Sequence, residues 1–217
     1  MIISHKHKFI FIHIPKCAGS TISYSLLNNL YCKSFNKDKF DQLDPSIVEV
    51  FKIAVNQGNS DALNQHGTLK DIKSYLSKKN LNINDYFKFS LMRNPWERRV
   101  SQYEYAKRMA KQTGAYWAKR ISLMSFYEFI TERNDSQLNW VSDEKDNVAV
   151  DFLGSGINIQ KEFNIICDKI GIQKKELPHR NATKHKHYIK YYDEETKQII
   201  ADNCAKDIEY FGYEFGK

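Results

Sequence analysis

At 217 residues the chain has room for one sizeable α/β domain, and an apolar share of 41% with 13 Phe and 13 Tyr supplies a core. Lys and Arg outnumber Asp and Glu by 33 to 26, a net charge of +7; this moderate excess favours an anionic partner (nucleotide, sulfated or phosphorylated glycan, nucleic acid or membrane surface) without choosing among them. Cys17, Cys32, Cys167 and Cys204 form no CxxC pair and have no His at ligand spacing, which argues against a zinc site and a disulfide scaffold and for a reducing compartment, while no run approaches the ~18 apolar residues of a membrane span.

In chain order, Phe9 to Ile14 is a β-branched and aromatic run that reads as a buried strand. It is too short for the apolar region of a signal peptide, so the chain reads as soluble and cytoplasmic. After Pro15-Lys16-Cys17-Ala18-Gly19, Ile22, Leu26, Leu27 and Leu30 recur at helical spacing and predict a helix over Ser20 to Tyr31. Strand, tight turn and helix in that order open a nucleotide-binding α/β unit. Ile47, Val48, Phe51 and Ile53 suggest a helix beginning near Pro45, and 56–61 reads as loop. Thr68, three residues before Asp71, is an N-cap for a helix carrying Leu69, Ile72, Tyr75 and Leu76, with His66 just before its start. Tyr86 to Met92 is a second strand, followed by a helix from Trp96 to about Lys111 with Pro95 at its start. Ser125 to Arg133 is a short helix, Val148 to Leu153 a third strand, Ile159 to Ile170 a helix stopped by Gly171, and Asp193 to Tyr210 a long closing helix. There is no internal repeat and no linker, so residues 1–217 read as a single α/β domain with a parallel central sheet flanked by helices.

The chemistry begins at Lys16-Cys17-Ala18-Gly19-Ser20-Thr21. A helix N-terminus offers unpaired N–H groups and partial positive charge to a phosphate or sulfate. Small residues let the backbone approach closely, Lys16 adds a point charge, and Ser20 and Thr21 add hydroxyl donors. The triphosphate loop GxxxxGK[ST] places its Lys after the second Gly, whereas Lys16 precedes the only Gly here. A strand-to-helix turn with an exposed Lys is the plainer alternative. Downstream, Arg93 at a strand end can hold a phosphate bidentately, and Ser101 lies about two helical turns on. Arg98, Ser101 and Tyr105 share one helix face, although solvated arginines on an amphipathic helix are the default.

These two segments resemble those of the sulfotransferases that use 3′-phosphoadenosine-5′-phosphosulfate (PAPS). Pro15-Lys16-x-x-Gly19-Ser20-Thr21 is similar to that family's 5′-phosphosulfate loop, and Arg93-Asn94-Pro95-x-x-Arg98-x-x-Ser101-x-Tyr103 to its 3′-phosphate segment. The resemblance implies a P-loop-like fold and a cradle of backbone amides from Cys17, Ala18, Gly19, Ser20 and Thr21. It further implies that Lys16 neutralises the leaving oxygen and that Arg93 and Ser101 hold the 3′-phosphate. His66-Gly67-Thr68 resembles the H-[AG]-T element whose His acts as base. A loop histidine without a role is the alternative, and His13 reads as a satisfied core histidine. The basic stretch 177–188 is similar to the family's nucleotide-closing segment and makes Arg180, Thr183, Lys184 and Lys186 cofactor contacts; a solvated basic loop is the alternative. The aromatics of 207–215 read as packing. One departure stands out: Gly154-Ser155-Gly156-Ile157-Asn158-Ile159 replaces the family's G-R-F-E-N-L, losing its Arg and Glu.

The expectation is therefore sulfonate transfer from PAPS to a hydroxylated acceptor, a glycan or small metabolite, with no metal and no nucleic-acid partner. A single doubly phosphorylated adenosine is expected to engage both segments. A magnesium-dependent small-molecule kinase, for which Asp151 is the one candidate metal ligand, and a non-catalytic binder of nucleotide or sulfated glycan are the alternatives.

Overall fold

The computed structural model describes residues 1–31, 43–51, 63–178 and 186–217. Among the predicted contacts, Arg180, Thr183 and Lys184 lie outside the described residues, as do Cys32 and Ile53. The chain divides into two compact units, Met1–Met92 with Asn139–Asn181 and Arg93–Leu138 with Ala182–Lys217.

The first unit is built on a sheet of five strands, β1 (Ile2–Ser4), β2 (Phe9–Phe11), β3 (Val48–Val50), β4 (Phe87–Leu91) and β5 (Phe152–Gly154), in the order β3-β1-β2-β4-β5. Its parallel half is made of β2, β4 and β5, with Phe9 opposite Phe87 and Phe89 opposite Phe152. β2 and β4 fall within the runs predicted as strands, and β5 overlaps the third. The other half is antiparallel: β1 pairs with β2 and with β3, so the sheet is mixed rather than wholly parallel. Only His5 to Lys8 separate β1 from β2, too few residues for the crossover a parallel pair needs. The helix suggested near Pro45 is instead β3. Asp44 Oδ1 accepts the Ser46 amide at 2.9 Å in a tight turn, and the β-branched Val48 and Val50 then pair with Ser4 and Ile2 on an edge that would otherwise lack hydrogen-bond partners. The third parallel strand is shifted from the predicted Val148 to Leu153. Val148 makes only an isolated bridge to Ser142, and Asp151 is held by Lys88, whose amide donates to its carboxylate at 2.7 Å and whose ammonium lies at 2.8 Å.

Two helices cover this sheet, α1 (Gly19–Leu30) and, later in the chain, Ile159–Ile170. Ile22, Leu26 and Leu27 from the first and Phe163, Ile166 and Ile170 from the second form one core with Ile2, Phe9, Phe11, Val48, Phe89 and Leu91. Burying each such side chain stabilises by roughly 1.5–3 kcal/mol. The helix α2 (Leu69–Lys78) starts at Thr68 as predicted: the Thr68 hydroxyl accepts the Asp71 amide and the Asp71 carboxylate accepts the Thr68 amide.

The second unit is helical among its described residues. It contains α3 (Pro95–Thr113), α4 (Tyr116–Ser122) and α5 (Phe126–Thr131), and after the return of the chain α7 (Glu194–Asn203) and α8 (Ala205–Phe211); Ile159–Ile170 of the first unit is α6. The single closing helix predicted over Asp193 to Tyr210 is thus two, interrupted at Cys204. Beyond the break, Asp207 is fully buried, and its carboxylate accepts from the Ser136 hydroxyl and the Gln137 and Leu138 amides instead of facing solvent. The terminal aromatics pack as expected: Phe215 meets Trp96, Tyr188 and Tyr192 edge to face.

Candidate functional site

The loop from β2 to α1 is shaped by backbone that glycine normally supplies. Lys16 and Ala18 both take left-handed conformations, with φ of 69° and 58°. Ala18 stands at the N-cap without a side-chain cap, and the Thr21 and Ile22 amides make the first helical bonds, both to the Ala18 carbonyl. The amides of Gly19 and Ser20 therefore precede the helical ladder, as an anion-binding helix start requires. Cys17 turns inward, 3% exposed, with its thiol directed at the Pro15 carbonyl, and its amide bonds to the Ile14 carbonyl at 3.3 Å. Lys16 and Thr21 are half-buried and Ser20 is exposed.

Gly19 is dictated by His13. A Cβ at position 19 would lie 1.9 Å from the His13 ring. Gly19→Ala is accordingly expected to destabilise the protein by ~1–3 kcal/mol through overpacking, seen as a lower denaturation midpoint; an unchanged midpoint would mean that the ring moves aside freely. His13 is buried, and burial first, then nearby positive charge, holds its pKa well below the ordinary value, so the ring is neutral. Its Nδ1 accepts from the Gln65 side-chain amide at 2.9 Å. The expectation of a satisfied buried histidine is met.

His66 sits directly against this arrangement. Its Nδ1 lies 2.9 Å from the His13 carbonyl oxygen, and the two rings meet edge to face with centroids 4.8 Å apart. A carbonyl can only accept, so Nδ1 carries a hydrogen, and in the neutral tautomer of such a ring the lone pair lies on Nε2. The backbone of His66 is held on both sides: its amide donates to Asn64 Oδ1 at 2.7 Å, and Trp140 Nε1 donates to its carbonyl at 3.0 Å. The histidine picked from the sequence is thus brought onto the loop carrying Lys16 and Gly19 through His13, a connection the sequence did not reveal.

The second segment opens with Asn94, whose side chain accepts the Trp96 amide at 3.1 Å and donates to the Glu214 carbonyl at 3.0 Å, with Pro95 at the first helical position of α3. The Arg93 guanidinium is 29% exposed and pairs with Glu97 one turn on, at 2.6 Å. Ser101 is buried two turns along α3. The solvated arginines that are the default on such a helix are not found at Arg98 and its neighbour Arg99. Both are essentially inaccessible and share Asp135, at 2.9 and 2.6 Å. Burial raises the Asp135 pKa, yet the two guanidiniums outweigh it and hold the carboxyl below its usual range. Asp135 lies outside any motif, and no local sequence signal marks it as their partner.

Of the basic segment 177–188, Lys186 is described and exposed. The departure at Ser155 and Ile157 has a structural counterpart: Glu162 of α6 accepts from the Ser155 amide and hydroxyl, both at 2.8 Å, and from the Gly156 amide. Ser155 is thus turned toward its own helix, while Ile157 is 79% exposed. Asp151, the candidate magnesium ligand of a kinase, is engaged by Lys88 as described above. Among the described residues no group of three His, Cys, Asp or Glu is placed to hold a metal ion, and no helix is long and apolar enough to cross a membrane.

Compared with known proteins, residues 1–214 match the model of the sulfotransferase family. No curated protein and no solved structure matches the chain.

Proposed function

The chain belongs to the sulfotransferase family, and on that premise we propose that it transfers the sulfonate of PAPS to the hydroxyl of a glycan or small metabolite, with His66 as general base. The observation that carries this reading is the Nδ1–H of His66 on the His13 carbonyl at 2.9 Å, which makes Nε2 the ring nitrogen able to take a proton and ties His66 to the loop of Gly19 through His13. The family match spans both units, which supports treating residues 1–217 as one catalytic domain.

The residues suit the donor. The amides at the start of α1, the small residues Ala18 and Gly19, and the Ser20 and Thr21 hydroxyls offer donors to a 5′-phosphosulfate. Arg93 and Ser101 offer them to a 3′-phosphate, and Lys186, with Arg180, Thr183 and Lys184, adds further contacts. The donor supplies an activated sulfonate. His66 Nε2 takes the proton of the acceptor hydroxyl as its oxygen bonds to sulfur, and the bond from sulfur to the bridging oxygen breaks in line. Lys16 and the loop amides carry the charge that develops on the departing phosphate, so no metal is needed for that task. The products are a sulfate ester and 3′-phosphoadenosine-5′-phosphate. Cys167 and Cys204 are buried thiols, in keeping with the proposed reducing, cytoplasmic setting.

The test is calorimetry with 3′-phosphoadenosine-5′-phosphate against adenosine 5′-monophosphate. The bisphosphate is expected to bind about ten- to a hundredfold more tightly, the worth of a charge-assisted contact, and Arg93→Ala is expected to erase the difference. Equal affinity for the two ligands in the unaltered protein overturns the 3′-phosphate assignment.

A further inference from the structure

Arg93 is held by its backbone as well as by Glu97. The Gln137 side chain accepts the Arg93 amide at 3.0 Å and donates to the Arg93 carbonyl at 2.9 Å. This side-chain amide therefore satisfies both polar groups of the residue that begins the second segment, much as a neighbouring strand would. Gln137 is completely buried, and so is Asp207. The Asp207 carboxylate fixes Gln137 in turn: it accepts the Gln137 amide at 2.7 Å and the Gln137 side-chain N–H at 3.3 Å. The same carboxylate accepts the Ser136 hydroxyl at 2.5 Å and the Leu138 amide at 3.2 Å. A buried carboxylate held by four hydrogen bonds is costly to place and uncommon as packing alone. Its orientation of Gln137 leaves no rotational choice in the side-chain amide, since the nitrogen must face both Asp207 and the Arg93 carbonyl while the oxygen faces the Arg93 amide.

We propose that Gln137, oriented by Asp207, is a positioning residue for the 3′-phosphate contact. It fixes the main chain of Arg93, so that the guanidinium is presented to the phosphate by a rigid backbone. The proposal rests on the assignment of Arg93 to the 3′-phosphate and adds the residues that set its geometry. Neither Gln137 nor Asp207 touches the nucleotide in this scheme.

The experiment is calorimetry of the unaltered protein and of Gln137→Met with the adenosine bisphosphate and with the 5′-monophosphate. Gln137→Met keeps the length of the side chain and removes both contacts to Arg93. The expected result is about a tenfold loss in preference for the bisphosphate, the worth of one net hydrogen bond, with monophosphate affinity unchanged. A purely structural role would weaken both ligands together or neither. If Gln137→Met does not fold by circular dichroism, Gln137→Glu serves instead: it retains an acceptor for the Arg93 amide, loses the donor, and repels Asp207. It is expected to lose part of the preference, and adding Asp207→Asn, which relieves that repulsion, to restore part of it. Full preference in the variant that folds overturns the positioning role while leaving the Arg93 assignment intact. Absence of any preference in the unaltered protein overturns both.

Discussion

Asp135→Ala is expected to destabilise the protein by ~3–5 kcal/mol, the usual cost of removing one partner from a buried ion pair. Arg98 and Arg99 are 1% and 0% exposed, so neither guanidinium can turn to water when the carboxylate is lost. Arg99 keeps Gln102 Oε1 at 3.0 Å and the carbonyl of residue 135 at 3.1 Å, but these are neutral acceptors, and its Nε is already buried without a partner. A chain of this size loses roughly 2–4 °C of melting temperature per kcal/mol, so thermal denaturation should show a drop on the order of 10 °C. A loss of under a few degrees would mean that the arginines re-pair or reach solvent. The pH dependence has a definite sign. The two guanidiniums hold the native pKa of Asp135 below that of the unfolded chain, about 3.9. The stabilisation is therefore complete above that value and disappears as the pH falls through the lower native one. The unaltered protein and Asp135→Ala should differ fully at neutral pH and converge in strong acid.

The second large effect concerns chemistry. His66→Ala is expected to slow sulfonate transfer by about 10²–10⁴-fold, the typical contribution of a positioned base, with the affinity for the adenosine bisphosphate nearly unchanged. The same variant should regain part of its rate when free imidazole is added, because the role proposed for the missing group is that of a proton acceptor and not of a binding contact. Transfer measured with labelled donor decides the matter, and an undiminished rate would place the base on another residue.

The parts of this chain that could be read from sequence are those fixed by local rules. Thr68 with Asp71 and Ser125 with Glu128 mark helix starts through reciprocal capping bonds. Gly171, with φ of 68°, ends α6. Lys16 and Arg93 stand where a strand gives way to a helix, which the local pattern marks. What escaped depends on partners far along the chain. Ile47, Val48, Phe51 and Ile53 have a spacing that suits a helix, and only the open edge of β1 makes Val48 to Val50 a strand. Arg98 and Arg99 look like surface charges until Asp135, 37 and 36 positions away, removes them from water. Gln137 reads as one polar residue among several, because its meaning lies in a carboxylate 70 positions further on. The link between His66 and Gly19 was hidden for the same reason: it runs through the ring and carbonyl of His13.

Lys16 and Ala18 carry side chains at left-handed backbone positions, at roughly 1–2 kcal/mol each. Glycine at either place would remove that expense, so the surrounding fold must keep the turn in shape against a standing tension. A receptor shaped in advance spares its guest the entropy of organising it. Under the proposed function, the tension in these two residues prepares the turn for the phosphosulfate it is proposed to hold.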